Sequence, residues 1–375
     1  MLLGDHLTRP TYRILQTIGE GNQGVCRKAY HEVFECEMVQ KTIATIGAPD
    51  SAVRTSEPAL LNRIRHDRIV TVNEAQWDPD SRWSGLGAIT FVMPYYEEGS
   101  VYGALIDGHR FSVRQATQIA IDVLDGLHHM HAVHGLVHRD VKPANVLLED
   151  GKRRGCLADL GSAAYIDPST GGASSQMVTP LYQAPEAGPA GVTTALGDVY
   201  AVGVMMIEML NGRFPYETID EVAVDARLGA GQRALDDRSY EPEFWVPRPL
   251  ATAIRAMCNV DPEKRPRTAA DALRTLQSLR VVDWARTSGD GHEGVWIGYW
   301  PPEARRESQR VTEVTVTTLA SGRDAGKLEA AARWRRPNGP WRNYAQLKDR
   351  FDAGDRPALA RFFRRVDAKA QSAPT

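Results

Sequence analysis

Cysteine, lysine and long apolar runs are all scarce in this chain. Its four cysteines are too few and too scattered for a disulfide framework, which predicts a reducing, cytoplasmic compartment. Residues 1–10 lack the basic segment and the apolar run of a signal peptide. The apolar stretch of residues 201–210 is short and contains Glu208, whereas a bilayer-spanning helix needs about 20 apolar residues. The sequence therefore predicts a cytoplasmic protein with no membrane span.

Charge is distributed unevenly along the chain. Of the 375 residues, 42% are hydrophobic and 25% are charged, which is typical of globular proteins and excludes intrinsic disorder. Residues 1–282 carry 28 basic and 35 acidic side chains, whereas residues 283–375 carry 17 and 12, together with five of the eight tryptophans. Because a single core stops growing at about 250–300 residues, two domains are expected. The compositional change predicts their boundary at residue 283.

Periodicity divides the first domain into two lobes. Residues 10–95 contain short β-rich runs interrupted by one helical pattern, and residues 96–282 are predominantly helical. The pattern predicts a small β-rich lobe followed by a larger helical lobe.

A glycine-rich loop lies between two of the strand-like runs. Its sequence is Gly19-Glu-Gly21-Asn-Gln-Gly24, and glycines let the backbone approach a phosphate chain closely. A dinucleotide-binding loop of this spacing should open a helix, but residues 25–29 look like a second strand. The loop is therefore expected to cover a nucleotide, with a plain glycine-rich hairpin turn as the alternative.

Three further motifs follow the loop in a fixed order. They are His138-Arg-Asp140-Val-Lys142-Pro-Ala-Asn145, Asp159-Leu-Gly161 and Ala184-Pro-Glu186. With the glycine loop, they resemble the protein kinase family, specifically its serine/threonine branch of the bacterial-like Hanks type. The resemblance covers about residues 10–282. It implies an α+β, bilobal protein kinase fold that uses ATP and Mg²⁺ to phosphorylate serine and threonine hydroxyls.

The chemistry of phosphoryl transfer explains why these residue types occur together. Catalysis consists mainly of positioning the reactants and neutralising phosphate charge. Asp140 is expected to orient the incoming hydroxyl and accept its proton, and Lys142 to reach the transferring phosphoryl group. Asn145 and Asp159 offer the oxygen ligands that Mg²⁺ prefers.

The resemblance also assigns an ATP pocket. Lys41 corresponds to the lysine that bridges the α and β phosphates, and Glu57 to its ion-pair partner. The residues expected to bind ATP are Gly19, Gly21, Gly24, Cys26, Val39, Lys41, Met93, Pro94, Tyr96 and Leu147. Met93 is expected at the back of the adenine pocket, with the Pro94 carbonyl and the Tyr96 amide contacting adenine.

Four positions depart from the family pattern. Gln23, Cys26 and Val39 alter the roof of the adenine pocket without removing a charged group. The fourth, Pro58, disfavours a helical conformation at Glu57, the residue before it. We therefore expect a helix that starts near this proline, with a less secure pair between Glu57 and Lys41 and a switchable position.

Other matches concern the activation segment and the support of the catalytic loop. Asp198 lies in an apolar helix, and Arg265 is expected to pair with Glu186. Arg139, beside Asp140, suggests regulation by a phosphorylated activation segment, because a guanidinium binds phosphate bidentately. The predicted activation-segment positions are Ser174, Ser175 and Thr179.

Residues 283–375 resemble no family known to us. Strands are predicted at 294–300, 311–319 and 327–334, and a helix at 357–370, which indicates a small, basic, tryptophan-rich α+β accessory domain. A protein partner or nucleic acid are its two candidate ligands, although strand tryptophans more often belong to a core. Two alternative functions also stay open: an ATP-binding pseudokinase scaffold, and phosphoryl transfer to a small molecule.

Overall fold

The computed structural model describes six segments of the chain. They are residues 11–21, 24–44, 57–77, 88–174, 179–302 and 304–372. Gln23 and Ser175 were singled out from the sequence and lie outside these residues.

The described part of the first lobe is a five-stranded antiparallel sheet with one helix. Its strands are β1 (Tyr12–Gly21), β2 (Gly24–His31), β3 (Cys36–Ala44), β4 (Glu74–Trp77) and β5 (Ala88–Pro94), in the order β1-β2-β3-β5-β4. Helix α1 (Glu57–Arg63) precedes β4 and buries Leu60 and Leu61. Gly24 is required by close approach, because a Cβ there would lie 2.3 Å from the Thr42 carbonyl oxygen. The sheet therefore brings the glycine loop against β3.

The second lobe is built around two long helices. The helices are α2 (Val101–Ile106), α3 (Val113–His134), α4 (Ala187–Ala190), α5 (Ala195–Asn211), α6 (Glu221–Gly229), α7 (Arg248–Met257) and α8 (Ala269–Ser278). Helix α3 begins with a capping box in which Ser112 and Gln115 satisfy each other's backbone amides, and ends at Gly135 in the left-handed conformation. Helix α5 buries nearly all of its residues, because α3, α7 and α8 pack around it. This apolar packing fixes the helices that carry the catalytic loop.

Short paired strands connect the two long helices. They are β6 (Leu136–Val137), β7 (Val146–Glu149), β8 (Arg154–Leu157), β9 (Ala164–Tyr165), β10 (Gly172–Ser174) and β11 (Val192–Thr194), paired as β6-β9, β7-β8 and β10-β11. All three pairs are antiparallel. They position the loop of residues 138–145 and the segment that starts at Asp159 side by side.

The last part of the chain forms a second five-stranded antiparallel sheet with a helix. The strands are β12 (Asp283–Ser288), β13 (Gly294–Trp300), β14 (Arg310–Thr318), β15 (Leu328–Arg335) and β16 (Arg342–Phe351), and the helix is α9 (Arg356–Gln371). Three of these strands and the helix lie where the sequence predicted them. β12 and β16 were not predicted, because neither shows a strong alternation of apolar and polar residues.

An aromatic cluster joins the second sheet to the helical lobe. Phe244, from the loop before α7, lies 5.7 Å from Trp296 and 5.6 Å from Phe363, measured between ring centroids. Trp284 and Trp296 are fully buried, as expected for core tryptophans. One apolar core therefore runs continuously from the helical lobe into the second sheet.

Within the described residues, none of the helices combines the length and apolar character that crossing a membrane requires.

Candidate active site

Lys41 forms two ion pairs at the centre of the site. Its Nζ lies 2.6 Å from Glu57 Oε2 and 3.1 Å from Asp159 Oδ1. Lys41 comes from β3, Glu57 from the first position of α1, and Asp159 from the loop after β8. Three separate elements therefore place one ammonium group between two carboxylates.

The weak ion pair expected from Pro58 is not what the structure shows. Helix α1 does begin at Glu57, but that carboxylate contacts Lys41 directly and its side chain is only 3% exposed. Proline is compatible with this geometry because the first turn of a helix needs no amide donor from it. The expected less secure pair is therefore wrong for this conformation.

Burial and the neighbouring charges act in opposite directions on the pKa values of this group. It acts to raise the pKa of Glu57, and the adjacent Lys41 ammonium acts in the opposite direction. Burial also acts to raise the pKa of Asp159, but Lys41 and the Gly161 backbone amide outweigh it and hold that pKa below its usual value. Asp159 is therefore a carboxylate at neutral pH, which is the form that binds a divalent cation.

Asp140 lies at the centre of a second hydrogen-bonded group. Lys142 Nζ lies 2.8 Å from Asp140 Oδ2 and donates to the Thr179 hydroxyl oxygen at 2.8 Å. Thr179 in turn donates to Asp140 Oδ1 at 2.6 Å. Asn145 Nδ2 donates to the Asp140 carbonyl oxygen at 2.8 Å and to Oδ2 at 3.0 Å. These bonds fix the direction in which the carboxylate points.

The side chains of Asn145 and Asp159 suit a magnesium ion. Because Asn145 uses its amide nitrogen to hold Asp140, its Oδ1 is available to a cation. Magnesium in kinase sites is held by one or two protein ligands together with substrate phosphates, and seldom by a cage of protein groups. The described part of the chain contains no cluster of three or more His, Cys, Asp or Glu side chains that could hold a metal.

Asp198 supports the backbone of the loop of residues 138–145. Its carboxylate is buried in α5 and accepts hydrogen bonds from the His138 amide at 2.8 Å and the Arg139 amide at 2.9 Å. Arg139 adopts a positive φ of 70°, a strained conformation that these bonds stabilise. His131 Nε2, at 2.8 Å from Asp198, was not predicted as part of this support. Sequence alone gave no signal for it, because the pairing depends on how α3 packs against α5.

Arg139 also contacts the segment that follows Asp159 and carries the predicted activation-segment position Ser174. Its Nε donates to the Ser162 carbonyl, and its Nη1 donates to the Ser174 carbonyl at 2.6 Å. The guanidinium thus binds backbone oxygens in this conformation. Burial lowers the pKa of Arg139, with Asp198 acting in the opposite direction. A phosphate group near Ser174 would therefore lie close to the Arg139 guanidinium.

Arg265 and Glu186 form the predicted bidentate ion pair. The two guanidinium nitrogens lie 2.7 Å from the two carboxylate oxygens, and the Arg265 side chain is fully buried. Arg265 Nε also donates to the Asn259 carbonyl at 2.7 Å, so the charge is well satisfied. This pair connects the Ala184-Pro-Glu186 motif to the loop before α8.

The residues predicted for the adenine pocket come together around β3 and β5. Val39 pairs with Met93, and Cys26 pairs with Lys41, in the antiparallel register. Met93, Tyr96 and Leu147 all pack against a small apolar cluster of Val70, Cys156 and Ala158. Gly19 and Gly21 lie on β1, opposite Cys26 and Gly24 of β2. Pro94 ends β5 and pairs with Met38.

Cys26 and Cys156 are both shielded thiols. Burial raises the pKa of Cys26, and it raises that of Cys156 to about 11. The Tyr96 hydroxyl donates to Cys156 Sγ at 3.2 Å, a contact that the sequence did not predict. Neither thiol has the low pKa of a reactive cysteine.

Comparisons with known proteins place this site in a family. The family model described as the protein kinase domain matches residues 12–276. The chain is 30% identical over 280 residues to serine/threonine-protein kinase SMU1 of Mycosarcoma maydis, covering 72% of this chain and 35% of that protein. It is 27% identical over 262 residues to probable serine/threonine-protein kinase mkcC of Dictyostelium discoideum, covering 70% and 27%.

The chain spans about a third of the length of these curated relatives. Both come from eukaryotes, so the bacterial-like qualifier stays a prediction. The matched region contains the charged groups around Lys41 and around Asp140, and it exceeds half of the sequence. The chain therefore belongs to the protein kinase domain family.

Proposed function

We propose that this protein is an ATP- and Mg²⁺-dependent protein kinase that phosphorylates serine and threonine hydroxyls. The observation that carries the proposal is the set of contacts around Asp140, in which Lys142, Asn145 and Thr179 all lie within 3.0 Å. The serine/threonine specificity is supported by Lys142 and by the similarity to the two serine/threonine-protein kinases named above. A protein substrate is the expected acceptor.

The chain's own residues divide the reaction between them. Lys41 would hold the α and β phosphates, since Glu57 and Asp159 orient its ammonium group. Asp140 would receive the substrate hydroxyl and accept its proton, while Lys142 stabilises charge on the transferring group. Asn145 and Asp159 would hold Mg²⁺, which neutralises phosphate charge when bound.

Two finer proposals concern regulation and the accessory region. We infer that phosphorylation at Ser174 or Ser175 would regulate activity through Arg139, because the Arg139 guanidinium already contacts the Ser174 backbone. We also infer that residues 283–375 act as an accessory domain.

An autophosphorylation assay with labelled ATP and Mg²⁺ tests the activity. The unchanged chain is expected to incorporate phosphate, and Asp140→Asn to lose at least about 100-fold of the rate because the proton acceptor is removed. Asp237→Asn, at a carboxylate that is 82% exposed and belongs to neither charged group of the site, serves as the matched control. Mass spectrometry then identifies the modified residues.

The alternatives predict different results in this assay. Equal incorporation by the unchanged chain and Asp140→Asn would contradict the proposed role of Asp140. ATP binding without incorporation would favour the pseudokinase scaffold. Label found in a metabolite and in no protein would favour transfer to a small molecule.

A further inference from the structure

A cleft of about 360 Å³ lies between the helical lobe and α9. Its floor is apolar and includes Pro242, Phe244, Ala251 and Ala360. Phe244 is also the residue that packs against the core of the second sheet. The cleft therefore lies at the junction between the helical lobe and the C-terminal region of residues 283–375.

The rim of this cleft carries an excess of positive charge. Five arginines and two glutamates line it. Arg255 Nε lies 2.7 Å from Glu241 Oε2, and Arg356 Nη2 lies 3.3 Å from Glu243 Oε1, so two of the arginines are neutralised. The other three arginines are Arg238, Arg248 and Arg364. All three are exposed, and none has a side-chain hydrogen bond or ion pair within the described residues.

The three unpaired arginines come from separate elements. Arg238 lies in the short turn of residues 237–240, Arg248 is the first residue of α7, and Arg364 lies in α9. Because both glutamates of the cleft are already paired with other arginines, these three guanidinium groups leave the cleft with a net positive charge. An anionic ligand would neutralise it.

We propose that this cleft binds an acidic peptide segment, with an apolar side chain in the floor and carboxylates or phosphates against Arg238, Arg248 and Arg364. The small apolar floor fits one or two side chains, and the rim supplies charge complementarity. The inference goes beyond the proposed kinase activity, since binding at this cleft requires no phosphoryl transfer.

Single-stranded nucleic acid fits the cleft less well. Its binding sites offer exposed aromatic rings on which bases stack. The one aromatic ring in this cleft, Phe244, is buried. On the second sheet, the Arg310 guanidinium already covers the Trp334 ring at 3.6 Å from its centroid. The observations therefore favour a peptide.

Binding of labelled peptide pools to the full chain tests the proposal. One pool has a central Leu, Met or Phe flanked by glutamates, a second carries glutamines at the flanks, and a third carries phosphoserines. Fluorescence polarisation is expected to show binding of the acidic and phosphorylated pools, weakening with salt, and at least tenfold weaker binding of the glutamine pool. The ratio between the first and third pools identifies the preferred anion.

Charge reversal at the rim provides the decisive comparison. The triple variant R238E/R248E/R364E is expected to bind the acidic pools at least tenfold more weakly. The control R267E/R323E/R361E changes net charge equally, at exposed arginines with no side-chain contacts that lie outside the cleft, and should bind as the unchanged chain does. The rim variant should gain binding to a lysine-flanked pool, which shows that it is folded.

Three results would overturn the inference. They are equal binding of the glutamate and glutamine pools, equal weakening by the rim and control variants, and no binding of any pool. The variant D140N should bind the acidic pools normally, so a failed kinase assay and a failed peptide assay are distinguishable.

Discussion

At the scale of single residues, Asp140 has both carboxylate oxygens engaged. Oδ1 accepts a hydrogen bond from Thr179, and Oδ2 contacts Lys142 and Asn145. Under the proposed function, a substrate hydroxyl would therefore have to displace one of these contacts to reach the carboxylate. The sequence predicted each of these residues separately, whereas their mutual contacts follow from how the loop of residues 138–145 packs against the activation segment.

A second residue with unusual chemistry is Asp367 of α9. Burial raises its pKa to about 7, although the Trp284 indole donates to it at 2.7 Å and acts in the opposite direction. An unfolded aspartate loses its proton at a pH of about 4. Between about pH 4 and pH 7 the folded chain therefore binds more protons than the unfolded chain, so this group makes stability fall as the pH rises through that range.

We predict that Asp367→Asn removes this pH dependence. The asparagine can still accept the hydrogen bond from Trp284 but carries no charge. Thermal unfolding at pH 5 and pH 8 should show that the stability of the variant relative to the unchanged chain is greater at pH 8 than at pH 5, by about 3 kcal/mol. Asp352→Asn, at an exposed carboxylate, is the control. A stability difference that is the same at both values would contradict the prediction.

At the scale of secondary structure, the short helix α1 carries Glu57, the ion-pair partner of Lys41. Glu57 opens this helix and Pro58 follows it. Because proline already has a helical φ, it restricts the unfolded chain while leaving the ion pair to Lys41 intact. Proline therefore favours the paired conformation, which is the opposite of the effect expected from the sequence.

We predict that Pro58→Ala lowers stability without improving the use of ATP. Loss of the rigid ring and of buried contacts should cost about 1–2 kcal/mol, measured by thermal unfolding, while the KM for ATP stays within about twofold. Pro357→Ala is matched to it, because Pro357 is also the second residue of its helix and is exposed. A KM for ATP that falls severalfold would show that the proline weakens the ion pair.

At the scale of the whole molecule, the second sheet is attached through its core. The Phe244 ring contacts Trp296 and Phe363, and the Arg114 amide donates to the buried Asp283 Oδ1 at 2.9 Å. Within the second sheet, Gly298 leaves room for the Trp284 ring, because a Cβ there would lie 2.7 Å from it. The accessory region and the helical lobe therefore stabilise each other.

We predict that Phe244→Ala destabilises both parts of the chain together. Removing a buried phenylalanine ring costs about 3 kcal/mol, and the loss should appear as one lowered thermal transition. Phe34→Ala, at a ring that is 67% exposed, should change stability by less than about 0.5 kcal/mol. Two separate transitions in the Phe244 variant, of which only one is lowered, would contradict the expected coupling.

The sequence by itself determined the lobes, the motifs and the charged residues of the active site. Periodicity identified the β-rich and helical parts, and the spacing of Lys41, Asp140, Asn145 and Asp159 was sufficient to identify the kinase family. These features are local, since each motif occupies a few adjacent positions whose chemistry can be read directly. The helix of residues 356–371 and three strands of the second sheet were predictable for the same reason.

Only the tertiary structure decided how distant residues meet. The support of Asp198 by His131, the rim of Arg238, Arg248 and Arg364, and the pairing of Trp284 with Asp367 each join elements far apart in the sequence. Such contacts depend on how helices and sheets pack, which no local pattern specifies. Pro58 shows the same point: its local preference suggested a weak ion pair, whereas the tertiary structure brings Glu57 of α1 within 2.6 Å of Lys41 on β3.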